Sequence, residues 1–143
     1  MAATAGSKTT GQTFAMVFGL IYLLVGVAGF FVTDDFTGGS TDDKLLLFPV
    51  NHLHNLVHVA IGALLLAGSR TVAQAKSMNM LVGIVLLLVA ILGFLGLDFM
   101  GDLLNISGSG SADNWLHLAT GALALYFGTT GATTAATPTP PTP

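Results

Sequence analysis

A chain of 143 residues that is 52% hydrophobic and only 8% charged cannot clothe its own surface in water, and its natural solvent is lipid. Four cations against seven acids, a net charge of −3, exclude the basic footprint that nucleic acid requires. With no cysteine, disulfides, thiolate catalysis, Cys-ligated zinc and lipid attachment through cysteine are excluded as well.

The length sets one domain as the expectation. Residues 1–13 read as a short polar tail with one cation, Lys8. Phe14 to Val32 is an uncharged run about 28 Å long as a helix, which matches a bilayer core. A signal peptide is the rival reading. Its apolar region would be about 7–15 residues with a small-x-small cleavage site. This run is longer and Gly29-Phe30-Phe31-Val32 is a poor site, so a retained span is expected. Thr33 to Lys44 is a loop with four acids. Leu45 to Ala67 is a second span, with Pro49 in its first turn. Gly68 to Ser77 is a connection carrying Arg70 and Lys76. Met80 to Leu97 is a third span. Asp98 to Asp113 is a Gly/Ser-rich loop, and Asn114 to Phe127 is a shorter fourth span, about 22 Å. Residues 129–143 are rich in Thr and Pro and read as extended or disordered.

The fold expected is therefore all-α, an integral membrane four-helix bundle over residues 14–128. Lys8, Arg70 and Lys76 flank the N-terminus and the second loop, whereas the other two loops hold all seven acids and Lys44. The positive-inside rule then places the protein in the plasma membrane with both termini cytoplasmic and the acidic loops outside. A mucin-like tail would instead put the C-terminus outside.

The chain also repeats itself. Small residues at 19, 26 and 29 recur at 83, 90 and 93. Asn55-Leu-Val-His58-Val-Ala-Ile-Gly62-Ala-Leu matches Asn114-Trp-Leu-His117-Leu-Ala-Thr-Gly121-Ala-Leu. The repeats span about 14–69 and 80–128. Each holds two spans, so they should be parallel, related by an axis along the membrane normal. Stripes of small residues let helix backbones approach closely in lipid.

Asn51, His54, Asn55, His58 and Gly62 share one helical stripe. In the fourth span the stripe is Asn114, His117 and Gly121, with Asp113 at the place of His54. Facing lipid would be costly, so both stripes should turn inward, while His52 points elsewhere. Three uses of this stripe compete. In the first it is structural: Asn51, Asn55, Asn114 and the imidazoles hydrogen-bond across the bundle and fix its register. In the second, His58 and His117 are the axial ligands of a b-type haem, with Gly62 and Gly121 leaving room for the macrocycle. In the third, His54, His58, His117 and Asp113 hold Zn²⁺ or Cu²⁺. A proton relay or a small-ligand pocket makes up the remainder. Trp115 and Tyr126 read as interface anchors, Tyr22 as a structural residue needing a hydrogen-bond partner, and Asp98 and Asp102 as solvated helix-end acids.

On these residues (Asn51, His54, Asn55, His58, Gly62, Asn114, His117 and Gly121) the chain resembles a family of small bacterial four-span membrane proteins of unknown function. The resemblance covers about Phe14 to Gly128 and implies the fold but no activity. No Ser-His-Asp set, phosphate loop or paired intramembrane carboxylates occur, so no enzyme is expected. The functional expectation is a non-enzymatic scaffold or accessory subunit whose partners are the bilayer and other membrane proteins.

Overall fold

Thr9 starts the helical part of the chain. Its hydroxyl accepts from the Gln12 N–H while the Gln12 carboxamide oxygen accepts from the Thr9 N–H, a reciprocal cap. In this computed structural model, which describes residues 7–130, α1 therefore runs Thr10–Gly29, four residues ahead of the Phe14 expected from hydropathy. Phe30 to Val32 close it as a turn rather than extending it.

The expected second span is corrected at its start. Leu45 to Pro49 are not helical; they belong to a two-stranded hairpin, β1 (Lys44–Leu45) and β2 (Phe48–Pro49), with Lys44 opposite Pro49. The reason is local. A residue before proline is pushed out of the helical region, so Phe48 is held extended. Asn51 then takes an extended backbone and caps α2 (His52–Gly68), its side-chain oxygen accepting from the His54 N–H at 2.8 Å. The free N–H groups of His52 and Leu53 donate to the Asp35 and Phe36 carbonyls.

Thr71 caps α3 (Val72–Phe94), which shortens the expected connection from Gly68–Ser77 to three residues. The third loop contains an unforeseen helix, α4 (Asp98–Leu104), ended by Asn105 in the left-handed region at φ 58°. The last helix, α5 (Ala112–Thr130), is longer than the expected Asn114–Phe127, and its 19 residues remove the supposed shortness of the fourth span. Residues 1–6 of the N-terminal tail and 131–143 of the Thr/Pro-rich tail lie outside the described residues.

The described chain is thus all-helical apart from the small hairpin. α1 and α3 are long and apolar enough to cross a membrane; α2 is shorter and α5 more polar. α1 packs chiefly on α2, and α3 on α5. Both pairs meet backbone to backbone. A Cβ built on Gly19 would stand 2.9 Å from the Leu66 nitrogen and 3.0 Å from the Gly62 oxygen; one on Gly62 would stand 2.6 Å from the Leu23 nitrogen. In the other pair, Gly83 would meet the Leu125 nitrogen at 2.5 Å and the Gly121 oxygen at 3.0 Å, and Gly121 the Leu87 nitrogen at 3.0 Å. Glycine is required at these places because any side chain would push the helices apart. Ala15, Tyr22, Ile61, Leu65, Ala75, Val82 and Leu86 fill the core between the pairs.

The long helices alternate in direction. At one end Gln12 donates to the Ser69 carbonyl, Asn79 donates to the Gly11 carbonyl, and Phe14 stacks on Phe127 at 4.8 Å. At the other end the first and third loops fold over one another as a polar cap. Asn51 donates to the Gly38 and Leu103 carbonyls, and Asn105 to those of Ser40 and Val50.

Gly83→Ala should lower the thermal midpoint in detergent by an amount equivalent to about 1–3 kcal/mol, the usual cost of overpacking. Gly110→Ala, where an added Cβ meets nothing within 4 Å, should leave the midpoint unchanged. Equal midpoints for the two variants would refute the backbone-contact account.

Candidate functional site

The helical stripe read from the sequence is the buried face of each helix. In α2 the buried residues are His54, Asn55, His58, Ile61, Gly62, Leu65 and Gly68; in α5 they are Asp113, Asn114, His117, Gly121, Ala124 and Gly128. Asn51 is buried beneath the cap as the N-cap of α2. His52 lies apart, its Nε2 2.9 Å from the Thr33 carbonyl oxygen.

Two asparagines sit in matched niches. The side chain of Asn55 lies against Gly29 and that of Asn114 against Gly93, each so close that a Cβ on the glycine would overlap it. Asn114 donates to the Gly108 and Ser109 carbonyls and so holds the loop before α5, but its Oδ1 has no partner. Neither polar atom of the Asn55 side chain has one. Among the described residues the two asparagines make no hydrogen bond across the bundle, so the contact they make between helices is one of shape.

Three imidazoles converge between α2 and α5. Ring centroids lie 4.5 Å apart for His54 and His58, 5.9 Å for His54 and His117, and 6.2 Å for His58 and His117. One nitrogen from each ring can be chosen so that all three lie within 4.8 Å of one another. All three residues are buried. Both nitrogens of His54, and Nδ1 of His58 and of His117, make no well-formed hydrogen bond, although the Leu104 and Pro49 backbone lies near His54 and the Asp113 backbone near His117. Tyr22 from α1 stands edge-on to His58 at 5.2 Å, and its hydroxyl pairs with the Thr120 hydroxyl of α5 at 3.1 Å. Tyr22 thereby has the partner its burial requires.

Asp113 is buried and its Oδ2 is without a partner, but its carboxylate is not one of the three converging groups. It lines, with His58, Val25, Val50 and Leu116, a cavity of about 80 Å³. A second cavity of about 130 Å³ reaches His58 between α1 and α5, beside Tyr22 and Thr120.

This geometry does not fit a macrocycle. Gly62 and Gly121 do not open onto the imidazoles; their free faces are taken by the backbones of α1 and α3. His54 crowds both supposed axial ligands, and the two cavities fall well below the roughly 300 Å³ at which ligand pockets begin. Three converging nitrogens suit a single atom instead.

Trp115 and Tyr126 are exposed near the two ends of α5, and Asp98 and Asp102 are exposed on α4. Asn105 was missed by the sequence reading. Its clue was composition: asparagine tolerates the left-handed conformation that ends a helix, and here it precedes a Gly/Ser-rich loop. Thr120 was missed because a threonine on a helix has no signature until Tyr22 is placed beside it.

Asn51→Ala removes a cap and two loop tethers and should destabilise the protein by about 3 kcal/mol. Asn51→Ser, which keeps a capping oxygen, should cost clearly less. Thermal melts in detergent that rank the two equally would show that the cap is not what Asn51 supplies.

The model of a family described as "Domain of unknown function (DUF4383)" matches residues 12–130. No match was found among curated proteins or among solved structures.

Proposed function

We infer that this chain, which belongs to the DUF4383 family, is a four-span integral membrane protein built of two parallel hairpin repeats, α1–α2 and α3–α5. Its role on this reading is that of a non-enzymatic scaffold or accessory subunit of a larger membrane assembly. One observation carries the inference: on the long helices Tyr22, His54, Asn55, His58, Asn79, Asn114 and His117 lie inside, and large apolar side chains cover the outside. Leu20, Leu24 and Val27 form an exposed ridge on α1, with Phe31 exposed in the turn after it, and Leu81, Ile84, Val85, Leu88 and Ile91 form another on α3. In water such surfaces would be an aggregation hazard. In a bilayer they meet acyl chains, or the ridges of a partner helix at spacings that allow interdigitation.

The matched contacts support the repeat. Gly19, Gly62 and Leu66 correspond to Gly83, Gly121 and Leu125, and Asn55 on Gly29 corresponds to Asn114 on Gly93. Charge supports the orientation. All seven acids lie on the side of the polar cap, whereas Lys8, Arg70 and Lys76 lie at the opposite end, which the positive-inside rule makes cytoplasmic. The fixed register of the two hairpins, with Asn55 and Asn114 locked against glycine, gives partners a rigid surface. The absence of a nucleophile–base set from the sequence supports a non-enzymatic role.

Because the chain has no cysteine, single substitutions can report its topology without background. In intact cells a membrane-impermeant maleimide should label Ser109→Cys but not Ala73→Cys or Leu88→Cys. In inside-out vesicles Ala73→Cys should be labelled instead, and Leu88→Cys in neither. Free labelling of Leu88→Cys, or labelling of Ser109→Cys and Ala73→Cys from one side, would overturn the four-span reading. The accessory role predicts that the protein leaves the membrane in mild detergent as a complex larger than its own monomer. A stable monomer, purified alone and in full yield, would defeat it.

A further inference from the structure

A hydrogen-bonding group withdrawn from solvent with no partner is costly, and several at one point call for a shared ligand. Here four imidazole nitrogens, two on His54 and one each on His58 and His117, lack partners at the junction of α2 and α5. The histidine donor atoms chosen one per ring span at most 4.8 Å. We propose that His54, His58 and His117 bind one divalent transition-metal ion of the Zn²⁺ type, with the buried carboxylate of Asp113 as a nearby counter-charge.

The donor set selects the ion. Imidazole nitrogen suits Zn²⁺ and Cu²⁺, whereas Mg²⁺ and Ca²⁺ ask for oxygen cages. Zinc–nitrogen bonds of about 2.0–2.1 Å in a tetrahedron set donors roughly 3.3 Å apart, so the widest pair closes by about 1.5 Å, a matter of side-chain rotation. His54 and His58 are one turn apart on α2 and form a two-point clamp; His117 arrives from α5. An ion held by three neutral imidazoles keeps its double charge in a low-dielectric interior. Asp113, which has an unpartnered Oδ2 and lines a cavity together with His58, is placed to offset part of that charge. No lysine or arginine occurs in α2 or α5. Such an ion would tie the two hairpins together where direct contact between α2 and α5 is slight. This site is independent of the scaffold reading and would stand if the protein acted alone.

The test uses the full chain, free of any histidine tag, in detergent after treatment with a chelator. Titration with Zn²⁺ should give one ion per chain and raise the thermal midpoint. His58→Asn and His117→Asn should each weaken Zn²⁺ binding by roughly 100-fold or more, and Asp113→Asn by roughly tenfold with the stoichiometry kept. His52→Ala, the remaining histidine, should change nothing. If a histidine variant fails to fold, X-ray absorption at the zinc edge of the loaded wild type decides, and three imidazole scatterers are expected. The proposal is overturned by an absence of stoichiometric uptake, by uptake that survives loss of His58 and His117, or by a zinc shell without imidazole.

Discussion

Glycine at Gly19, Gly62, Gly83 and Gly121 lets two pairs of helices touch along their backbones, and the interior is arranged around that closeness. At a wider separation Asn55 and Asn114 would no longer be gripped by Gly29 and Gly93. In the bilayer proposed for this protein the closeness would matter doubly. Apolar side chains gain little by leaving one hydrocarbon phase for another, so association rests on contact at short range, which small residues permit and large ones forbid.

The polar ends of the bundle use a different chemistry. Asparagine recurs because its amide donates and accepts at once. Asn51 caps α2 with its oxygen and holds two loop carbonyls with its nitrogen; Asn105 turns the chain and holds two more. The first and third loops therefore act as one lid over the ends of α2 and α5. The lid covers the side on which the histidines lie, and it helps to keep them dry.

The three histidines stand out against this economy. Some buried polar groups find partners, as the Tyr22 hydroxyl finds Thr120 and the Asn79 amide nitrogen finds the Gly11 carbonyl, while single oxygens of Asn79, Asp113 and Asn114 and both polar atoms of Asn55 do not. At His54, His58 and His117 four unpartnered nitrogens gather at one point, an arrangement suited to an ion. Structural scaffold and metal centre need not conflict, since an ion at this point would brace the two hairpins that a scaffold must hold rigid.

Much of this was legible in the residues themselves. The apolar runs, the small residues at matched places and the inward stripe of Asn and His are periodic features, and helix geometry alone converts a spacing of three or four into a face. The starts of helices were misjudged where hydropathy outvoted caps: Thr9, Asn51 and Thr71 set the boundaries through side-chain bonds that a window average does not register. Only the tertiary structure could decide that Gly62 and Gly121 face backbones and not a cofactor. The sequence could group His54, His58, His117 and Asp113, but only the tertiary structure sets the three imidazoles around one point with Asp113 outside them. Those outcomes depend on the relative rotation of helices far apart in sequence, and rotation is fixed by packing on all sides at once, which no local pattern encodes.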